Sequence, residues 1–374
     1  MKRRAFVRRA SGAAVGMVIP ADILSSAAPL PWRPYERVVV IDALGSLVDT
    51  RTNTEGVLSP ATLADLRRSG VTAVNVTIGT VGGGDDLFER TVRDIARWTD
   101  RIARHSESIS QVRTAQDVET AKGGGRIGVI FGFQDAAMLE GDLDRLELFG
   151  DLGVRIIQLT YNRRNDLGDG SLESENRGLT DLGRAAVERM NELGILVDLS
   201  HCGQRTTAEG IRTSRTPVAV THSGCHSLSA LPRNKTDADL RALAERGGVV
   251  GIYLMPFLKE RGQPYAEDVV RHVEHAIEVC GEDHVGIGTD GSIMPVDLNE
   301  DYRERIRAEI AARQSAGISA PGETNDIVPL IPDLNDLRRL ERLADMLSSR
   351  RHSDARIEKI LGGNFLRLMR DVWR

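Results

Sequence analysis

Short apolar runs alternate with longer amphipathic segments along most of the chain. The runs are rich in Val, Ile and Leu and are nearly continuous, which predicts strands buried on both faces, as in a parallel sheet covered by helices. The predicted strands are Val38–Leu44, Val71–Gly79, Arg126–Gln134, Val154–Tyr161, Ile195–His201, Pro217–His222, Gly247–Pro256 and His284–Asp290. This alternation predicts an α/β fold, and eight units favour a closed (β/α)8 TIM barrel over an open doubly wound sheet.

The segments between these runs show the periodicity of helices. The predicted helices include Asp86–Ile109, Leu179–Leu193, Asp237–Glu245, Ala266–Val279 and Glu300–Arg313, followed by a closing amphipathic helix over Arg356–Met369. Gly194 is a plausible C-cap for the second of them, and Gly362-Gly363 interrupts the last. His272 and His275 lie three residues apart on a predicted helix, and we interpret that helix face as solvated.

The least regular segment is 294–337, which follows the last predicted strand. After its charged helix it contains Gly317, Pro321, Gly322 and Pro329, a composition typical of loops. The segment either covers the active-site face of the barrel or packs on its flank. No long linker divides the chain elsewhere, so residues 28–374 are predicted to form a single domain.

Three predicted strands end in residues that bind metals or transfer protons. His201 and His222 close the fifth and sixth runs, and Asp290 closes the eighth. Because the carboxyl ends of the strands of an α/β barrel lie on one face, these side chains should converge there. Imidazoles are suitable ligands for zinc. The pattern therefore indicates a metal-dependent hydrolase.

The N-terminus predicts export. The segment Lys2-Arg3-Arg4-Ala5-Phe6-Val7-Arg8 resembles a twin-arginine signal and precedes a mildly apolar stretch, Ala10 to Leu24. Small residues follow, so residues 1–27 are predicted to be a cleaved signal peptide and the mature protein to be periplasmic. The alternative is a basic N-terminal tail. Pro20 and Asp22 interrupt the short apolar stretch, so no transmembrane span is expected.

Composition and charge limit the kinds of partner and of covalent cross-link that the chain is expected to have. The 374 residues carry a net charge of −5, and no basic block occurs beyond the N-terminus, which argues against nucleic acid as a partner. The three cysteines, Cys202, Cys225 and Cys280, are too few for a disulfide framework. They are interpreted as small buried side chains, with a Cys202–Cys225 bridge or a thiolate near the metal as alternatives.

Several motifs resemble those of the membrane (renal-type) dipeptidases, which are metal-dependent (β/α)8 barrels of the amidohydrolase superfamily. The motifs are Gly178-Leu-Thr-Asp-Leu-Gly, Met190-Asn-Glu-Leu-Gly-Ile-Leu-Val-Asp-Leu-Ser-His201, Thr221-His222-Ser223, Pro232-Arg233-Asn234 and Ile360-Leu-Gly-Gly-Asn-Phe-Leu-Arg367. The resemblance implies that His201 and His222 bind zinc and that Asp290 handles the proton during hydrolysis. It also implies that Arg233 holds the carboxylate of the substrate and that the protein is a homodimer.

Other positions depart from the family pattern. Leu44 and Ser46 occupy the places of the His and Asp ligands on strand one. Gln134 replaces a bridging glutamate on strand three, and Tyr161 replaces a histidine on strand four. Because two adjacent cations need anionic ligands to offset their repulsion, a second metal is not expected.

The remaining residues predict a site for one zinc ion per chain. His201, His222 and Gln134 are its expected protein ligands, with Asp290 or Asp135 as an alternative anionic ligand. Asp290 is the expected proton acceptor, Arg233 the carboxylate-binding residue and Tyr161 a hydrogen-bond donor to the oxyanion. Asp42 is interpreted as structural.

The predicted function is that of an exported metallohydrolase that cleaves a dipeptide or a similar small amide with a free carboxylate. Two alternatives stay open. The substitutions on strands one, three and four also fit an enzyme of the same fold with altered chemistry, such as a lactonase, a lyase or a peptide-tailoring enzyme. The other alternative is a non-catalytic descendant that binds a ligand.

Overall fold

The strands of this computed structural model form one parallel sheet. The structure describes residues 32–49 and 58–373, so the predicted signal peptide lies outside the described residues. The strands are β1 (Ile41–Ser46), β2 (Ala73–Thr77), β3 (Ile109–Val112), β4 (Ile127–Phe133), β5 (Val154–Gln158), β6 (Leu196–Asp198), β7 (Ala219–Ser223), β8 (Val249–Ile252), β9 (Val285–Ile287) and β10 (Gly291–Ser292). Their order is β10-β1-β2-β4-β5-β6-β7-β8-β9, with β3 paired to β4.

Two short strands close the barrel at the end of the chain of strands. β9 lies within the eighth predicted strand, His284–Asp290, and pairs with β8, whereas β10 follows the predicted end and pairs with β1 so that Gly291 lies opposite Gly45. The chain therefore returns to the strand from which the sheet began, and the predicted (β/α)8 TIM-barrel fold is confirmed. Residues 288–290 separate β9 from β10.

One strand was not predicted. β3 pairs with the first half of β4, where Ile109 lies opposite Ile127, and β5 pairs with the second half, where Phe131 lies opposite Val154. The β3 sequence is only four residues long and contains Ser and Gln. Its apolar pattern is therefore too short to separate it from the preceding helix, which the sequence extended to Ile109.

Helices follow most strands and cover the outside of the sheet. They are α1 (Pro60–Ser69), α2 (Leu87–Arg104), α3 (Ala115–Gly123), α4 (Arg145–Asp151), α5 (Asp181–Leu193), α6 (Gln204–Thr213), α7 (Asp237–Glu245), α8 (Ala266–Cys280), α9 (Glu300–Ser315), α10 (Arg339–Ser349), α11 (Asp354–Glu358) and α12 (Asn364–Val372). Thr180 and Thr236 cap α5 and α7 by accepting hydrogen bonds from backbone N–H groups. Gly194 ends α5 with φ of 66°, the left-handed C-cap conformation that the sequence predicted.

The closing helix seals the amino-terminal end of the barrel. A π-helical turn, Lys359–Gly363, joins α11 to α12, so the predicted interruption is confirmed. A Cβ atom on Gly362 would lie 2.5 Å from the carbonyl oxygen of Val39, so the close approach to the start of β1 requires glycine. Phe365 of α12 packs among the first apolar residues of several strands. The carboxyl ends of the strands are left for the site.

The interpretation of α8 as presenting a solvated histidine face is wrong for His272. That side chain is 1% exposed, and its two ring nitrogens bond the backbone N–H of Cys225 and the carbonyl of Leu258. Burial lowers the pKa of His272 to about 4. Within the described ranges, no helix is long and apolar enough to cross a membrane.

Candidate active site

A cavity of ≈ 570 Å³ opens at the carboxyl ends of the strands. Five of the six predicted site residues line it: Gln134, Tyr161, His201, Arg233 and Asp290. The sixth, His222, lies directly behind His201, with its ring centroid 5.0 Å from that of His201. The predicted convergence of strand ends thus brings all six residues to one place.

Segment 294–337 covers this face of the barrel. Ile310 in α9 and Ala320 and Pro329 beyond it line the cavity, opposite the strand ends. Together with Met255 and Phe257, which follow β8, they form an apolar wall. The sequence left open whether segment 294–337 covers the active-site face or packs on the flank of the barrel. In the structure it covers the active-site face.

The ring of His201 is held in one orientation by Asn162. The Nδ1 atom of His201 lies 2.7 Å from Oδ1 of Asn162, whose Nδ2 donates to the carbonyl of Ile318 at 2.8 Å. Since that carbonyl can only accept, it fixes the amide, and Oδ1 must accept from Nδ1–H of His201. The Nε2 atom of His201 therefore carries a lone pair, and it is buried without a hydrogen-bond partner.

The ring of His222 is also held in one orientation, in this case by the hydroxyl group of Thr221. Its Nδ1 atom lies 2.9 Å from Oγ1 of Thr221, and that hydroxyl donates its only proton to Asp198 at 2.6 Å. The Thr221 oxygen therefore accepts from Nδ1–H of His222. Asp198 also accepts from the backbone N–H of Ser200 at 3.0 Å and from its hydroxyl. The Nε2 atom of His222 is likewise buried and unpartnered.

Both histidines are held in the neutral state that metal binding requires. Burial is the largest cause that lowers the pKa of each well below its usual value, and the positive charge of Arg233 lowers both further. A neutral imidazole with a free Nε2 lone pair is the form that ligates zinc. Because the two rings lie 5.0 Å apart, one ligand shared by both Nε2 atoms would satisfy nitrogens that are otherwise costly to bury.

The residues that could hold a metal here are two histidines and a glutamine. Over residues 32–49 and 58–373, no group of three or more His, Cys, Asp or Glu lies close enough together to hold a metal. Gln134 also lines the cavity, and its Nε2 donates to Thr77 at 2.8 Å, so Oε1 is the atom of this side chain that remains for a metal. Two imidazoles and an amide oxygen suit a single ion with an open position. The carboxylates that a pair of ions needs are missing from this group.

Asp290 lies in a strained turn between β9 and β10. Its φ is 57°, in the left-handed region that residues other than glycine rarely adopt, and its N–H donates to Leu44 at 2.8 Å. Asp42 fixes the neighbouring residue by accepting from the N–H of Thr289 at 2.7 Å and from its hydroxyl at 2.6 Å. Both oxygens of the Asp42 carboxylate thus accept hydrogen bonds that hold the turn, which agrees with the structural role expected from the sequence.

The environment of Asp290 suits proton transfer. Burial raises the pKa of Asp290 to about 6, although the positive charges of Arg233 and Arg313 oppose the shift. A carboxyl group that titrates just below neutral pH can accept a proton and return it.

Arg233 presents an unpaired guanidinium edge. The side chain is 1% exposed, and its Nη1 donates to the carbonyl of Ser200 at 2.8 Å. Its Nη2 is buried and unpartnered, and among the described residues no carboxylate lies within ion-pair distance of it. The charge of Arg233 acts on buried Asp290, whose pKa it lowers, but the two groups make no direct contact. A carboxylate ligand would supply the direct partner that Nη2 lacks.

Tyr161 lies between His201 and the covering segment. Its ring stacks on that of His201, with centroids 4.2 Å apart and planes inclined by 26°. Its hydroxyl oxygen accepts from Nη2 of Arg313 at 3.1 Å, and Arg313 also pairs with Glu323. The phenol is therefore held at the cavity by a residue that is distant in sequence.

The cysteines take no part in this site. Cys202 and Cys225 are buried, and all three cysteines are free, so the alternative of a Cys202–Cys225 bridge is not realised. Burial raises the pKa of the Cys202 thiol, and this side chain lines a separate small cavity. The prediction that the cysteines are small buried side chains is confirmed for Cys202 and Cys225, whereas Cys280 is partly exposed.

The sequence did not single out four residues that shape the site: Asn162, Asp198, Arg313 and Glu323. A signal existed for Asn162, because it follows the end of a predicted strand directly. No such signal marked Arg313 or Glu323, which belong to a charged helix and the loop after it.

Most of the chain matches one known family of proteins. The family pattern of membrane dipeptidase (Peptidase family M19) fits residues 41–315. The chain belongs to the membrane dipeptidase family. It is accordingly a dipeptidase-like hydrolase, and the match ends at the last residue of α9.

Relatives of known sequence support this assignment. An uncharacterized protein in the pqqA 5′ region of Klebsiella pneumoniae is 27% identical over 284 residues, which are 73% of this chain and 92% of that one. Dipeptidase tcpJ of Claviceps purpurea is 28% identical over 277 residues, 71% of this chain and 64% of that one. The chain thus spans less than two thirds of the length of this dipeptidase.

Solved structures share the fold over nearly the whole chain. An amidohydrolase from Pseudomonas aeruginosa has 31% identity and a TM-score of 0.78, covering 91% of this chain and 98% of that one. A metallo peptidase from Rhodobacter sphaeroides, liganded with a phosphinate mimic of the dipeptide L-Ala-D-Ala, has 21% identity and a TM-score of 0.71, covering 90% and 99%. At that identity the second likeness concerns the fold alone.

Proposed function

We propose that this protein is an exported metallohydrolase that cleaves a dipeptide, or a similar small amide with a free carboxylate, with one zinc ion per chain. One observation carries the proposal. The Nε2 atoms of His201 and His222 and the Nη2 atom of Arg233 are all buried without partners, and the charge of Arg233 lowers the pKa of both histidines. A metal and a carboxylate together would satisfy these otherwise orphaned groups.

His201, His222 and the amide oxygen of Gln134 would hold the ion, which when bound supplies Lewis-acid chemistry and an acidified water. The residues of the chain perform the other tasks. Arg233 binds the substrate carboxylate and thereby places the scissile bond. Asp290 takes the proton of the attacking water and returns it to the leaving amine.

The oxyanion that develops on the former carbonyl needs a donor in a protected cavity. Tyr161 is suited to this role because it lies on the cavity wall, stacked on His201. The hydroxyl group thereby replaces the histidine that the family resemblance places on strand four.

The apolar wall favours a substrate with an apolar side chain. Met255 and Phe257 after β8, together with Ile310 and Ala320 of the covering segment, line this part of the cavity. A carboxylate held by Arg233 leaves the remainder of the substrate to contact this wall. Burial of each methylene there contributes about 0.8 kcal/mol, so bulky aliphatic or aromatic dipeptides should be preferred over Gly-Gly.

The experiment is a metal determination joined to a substrate panel. The signal-free protein should contain about one zinc per chain by elemental mass spectrometry and should hydrolyse dipeptides with free carboxylates. His201→Ala should lose both metal and activity. His275→Ala is the matched control, because His275 lies on α8 and pairs with Asp237. Full activity in His201→Ala would refute the proposal.

Export rests on the twin-arginine segment at residues 2–8. Fusion of residues 1–27 to a reporter that folds before export tests it. The reporter should reach the periplasm, and Arg3→Lys with Arg4→Lys should retain it in the cytoplasm. Periplasmic reporter with both substitutions would contradict export by this route.

A second candidate is an enzyme of the same fold with altered chemistry, such as a lactonase or a peptide-tailoring enzyme. It is favoured by one observation: Leu44, at a strand-one ligand position of the family, is 3% exposed and packed in the core. Protein that holds metal but turns over no dipeptide in the panel, while opening a lactone, would establish this candidate instead.

A further inference from the structure

Arg313 makes the contact that decides how the Tyr161 hydroxyl points. Nη2 of Arg313 lies 3.1 Å from the phenol oxygen, and this is the hydrogen bond that the hydroxyl makes among the described residues. Arginine has donors only, so the phenol oxygen is the acceptor in this pair. The hydroxyl proton is therefore not used by Arg313 and has no acceptor within residues 32–49 and 58–373.

The guanidinium itself is fixed by a second pair. Nε and Nη2 of Arg313 donate to the two carboxylate oxygens of Glu323 at 3.1 and 2.9 Å, a two-point contact that sets the plane of the group. The hydroxyl of Ser319 also donates to Glu323 at 2.8 Å. Glu323 lies beyond residue 315, where the family match ends. A loop after α9 thus holds a side chain of the central site.

We propose that Arg313, held by Glu323, is a positioning residue that directs the hydroxyl proton of Tyr161 into the cavity as the oxyanion donor. This inference rests on the proposed function and deepens it. With Arg313 on one side of the phenol oxygen, and the ring stacked on His201, the O–H bond is left to point toward the open volume. A donor that is oriented before the reaction needs no reorganisation when charge develops.

The competing role for Arg313 is to bind a second anionic group of the substrate. The geometry disfavours this role, because Glu323 already neutralises the guanidinium through two contacts. Arg233, by contrast, has no carboxylate partner among the described residues and a free buried Nη2. The two arginines therefore have different roles. Arg233 is free to bind an anionic group of the substrate, whereas Arg313 acts through Tyr161.

A double-mutant cycle separates the two roles. Tyr161→Phe removes the donor and should lower kcat about 10²-fold with little change in KM. Arg313→Met should lower kcat about tenfold in the native background and have no further effect in Tyr161→Phe, because the group it positions is gone. Glu323→Gln should act in the same direction. Arg307→Met is the matched control, since Arg307 lies on the same helix and pairs with the exposed Glu300.

Each outcome is decisive. An Arg313→Met effect that persists in Tyr161→Phe, or that falls on KM, would assign Arg313 to substrate binding and overturn the inference. So would an unchanged kcat. If no variant hydrolyses any amide, the proposed function fails, and a crystallographic comparison of the variants then decides the inference separately. The Tyr161 phenol should keep its place in Arg307→Met and shift or become mobile in Arg313→Met, because its only hydrogen bond among the described residues is lost; an unmoved phenol in Arg313→Met would overturn the inference.

Discussion

Replacing Asn162 with alanine tests how the metal site is oriented. Oδ1 of Asn162 accepts the 2.7 Å hydrogen bond that leaves the lone pair of His201 on Nε2. Without this acceptor, either ring nitrogen of His201 can carry the proton and the ring can rotate. Loss of a partner that orients a metal-binding histidine typically costs 10–100-fold in metal affinity, or about 1.4–2.7 kcal/mol.

The same substitution also removes the hydrogen bond from Asn162 to Ile318 and should lower the free energy of unfolding by about 1–3 kcal/mol. A control must therefore separate metal affinity from stability. Asn191→Ala serves, because Asn191 is also buried and its amide donates to Ser214 and Thr216 at 3.0 Å each, away from the cavity. Its loss of stability should be similar and its zinc affinity unchanged.

The assay is competition for zinc against a chromophoric chelator at neutral pH, with unfolding in urea measured on the metal-free proteins. Asn162→Asp is the informative partner, because it keeps an acceptor for Nδ1–H of His201 and should retain most of the affinity. The reasoning would be refuted if Asn162→Ala bound zinc as tightly as the native protein while losing as much stability as Asn191→Ala.

Three further predictions address proton transfer, substrate binding and packing. Because Asp290 must be ionised to accept a proton and burial raises its pKa to about 6, kcat/KM should be level above that pH and fall about tenfold per unit below it; a profile that is flat down to pH 5 would exclude Asp290 as the base. Arg233→Met should raise KM about 10–100-fold for dipeptides, and an equal change for substrates whose carboxylate is amidated would contradict carboxylate binding. Gly362→Ala places a Cβ atom 2.5 Å from the Val39 carbonyl and should lower the free energy of unfolding by about 1–3 kcal/mol in urea titrations. The neighbouring Gly363→Ala, whose Cβ would lie 3.3 Å from the nearest atom, should cost clearly less; equal losses would show that the contact with β1 does not require glycine.

Fold class followed from local pattern because each barrel strand is buried on both faces and is therefore apolar throughout. The positions of His201, His222 and Asp290 at strand ends were also local information. Parallel strands place their carboxyl ends on one face, so these three residues had to approach one another once the barrel was assumed. The same argument reached Gln134, Tyr161 and Arg233 only with the help of the family resemblance.

The pattern of apolar and polar residues could not predict how the side chains of the site are oriented. The lone pairs on His201 and His222 depend on Asn162 and on the Thr221–Asp198 pair, whose contacts cross between strands. The buried His272 is a similar case, because its helical spacing was that of a solvated face while its ring nitrogens satisfy backbone groups of other elements. Hydrogen bonds between distant residues leave no periodic trace in the sequence.

The sequence by itself determined the barrel, its strand ends and the types of residue gathered there, because burial and periodicity are recorded residue by residue. Only the tertiary structure decided that segment 294–337 covers the cavity and that Arg313 and Glu323 reach Tyr161 from it. The physical reason is that a charged helix and a loop rich in Gly and Pro satisfy the same local rules wherever they pack. Their place is set by contacts with residues some 150 positions away, such as the bond from Arg313 to Tyr161 across 152 residues.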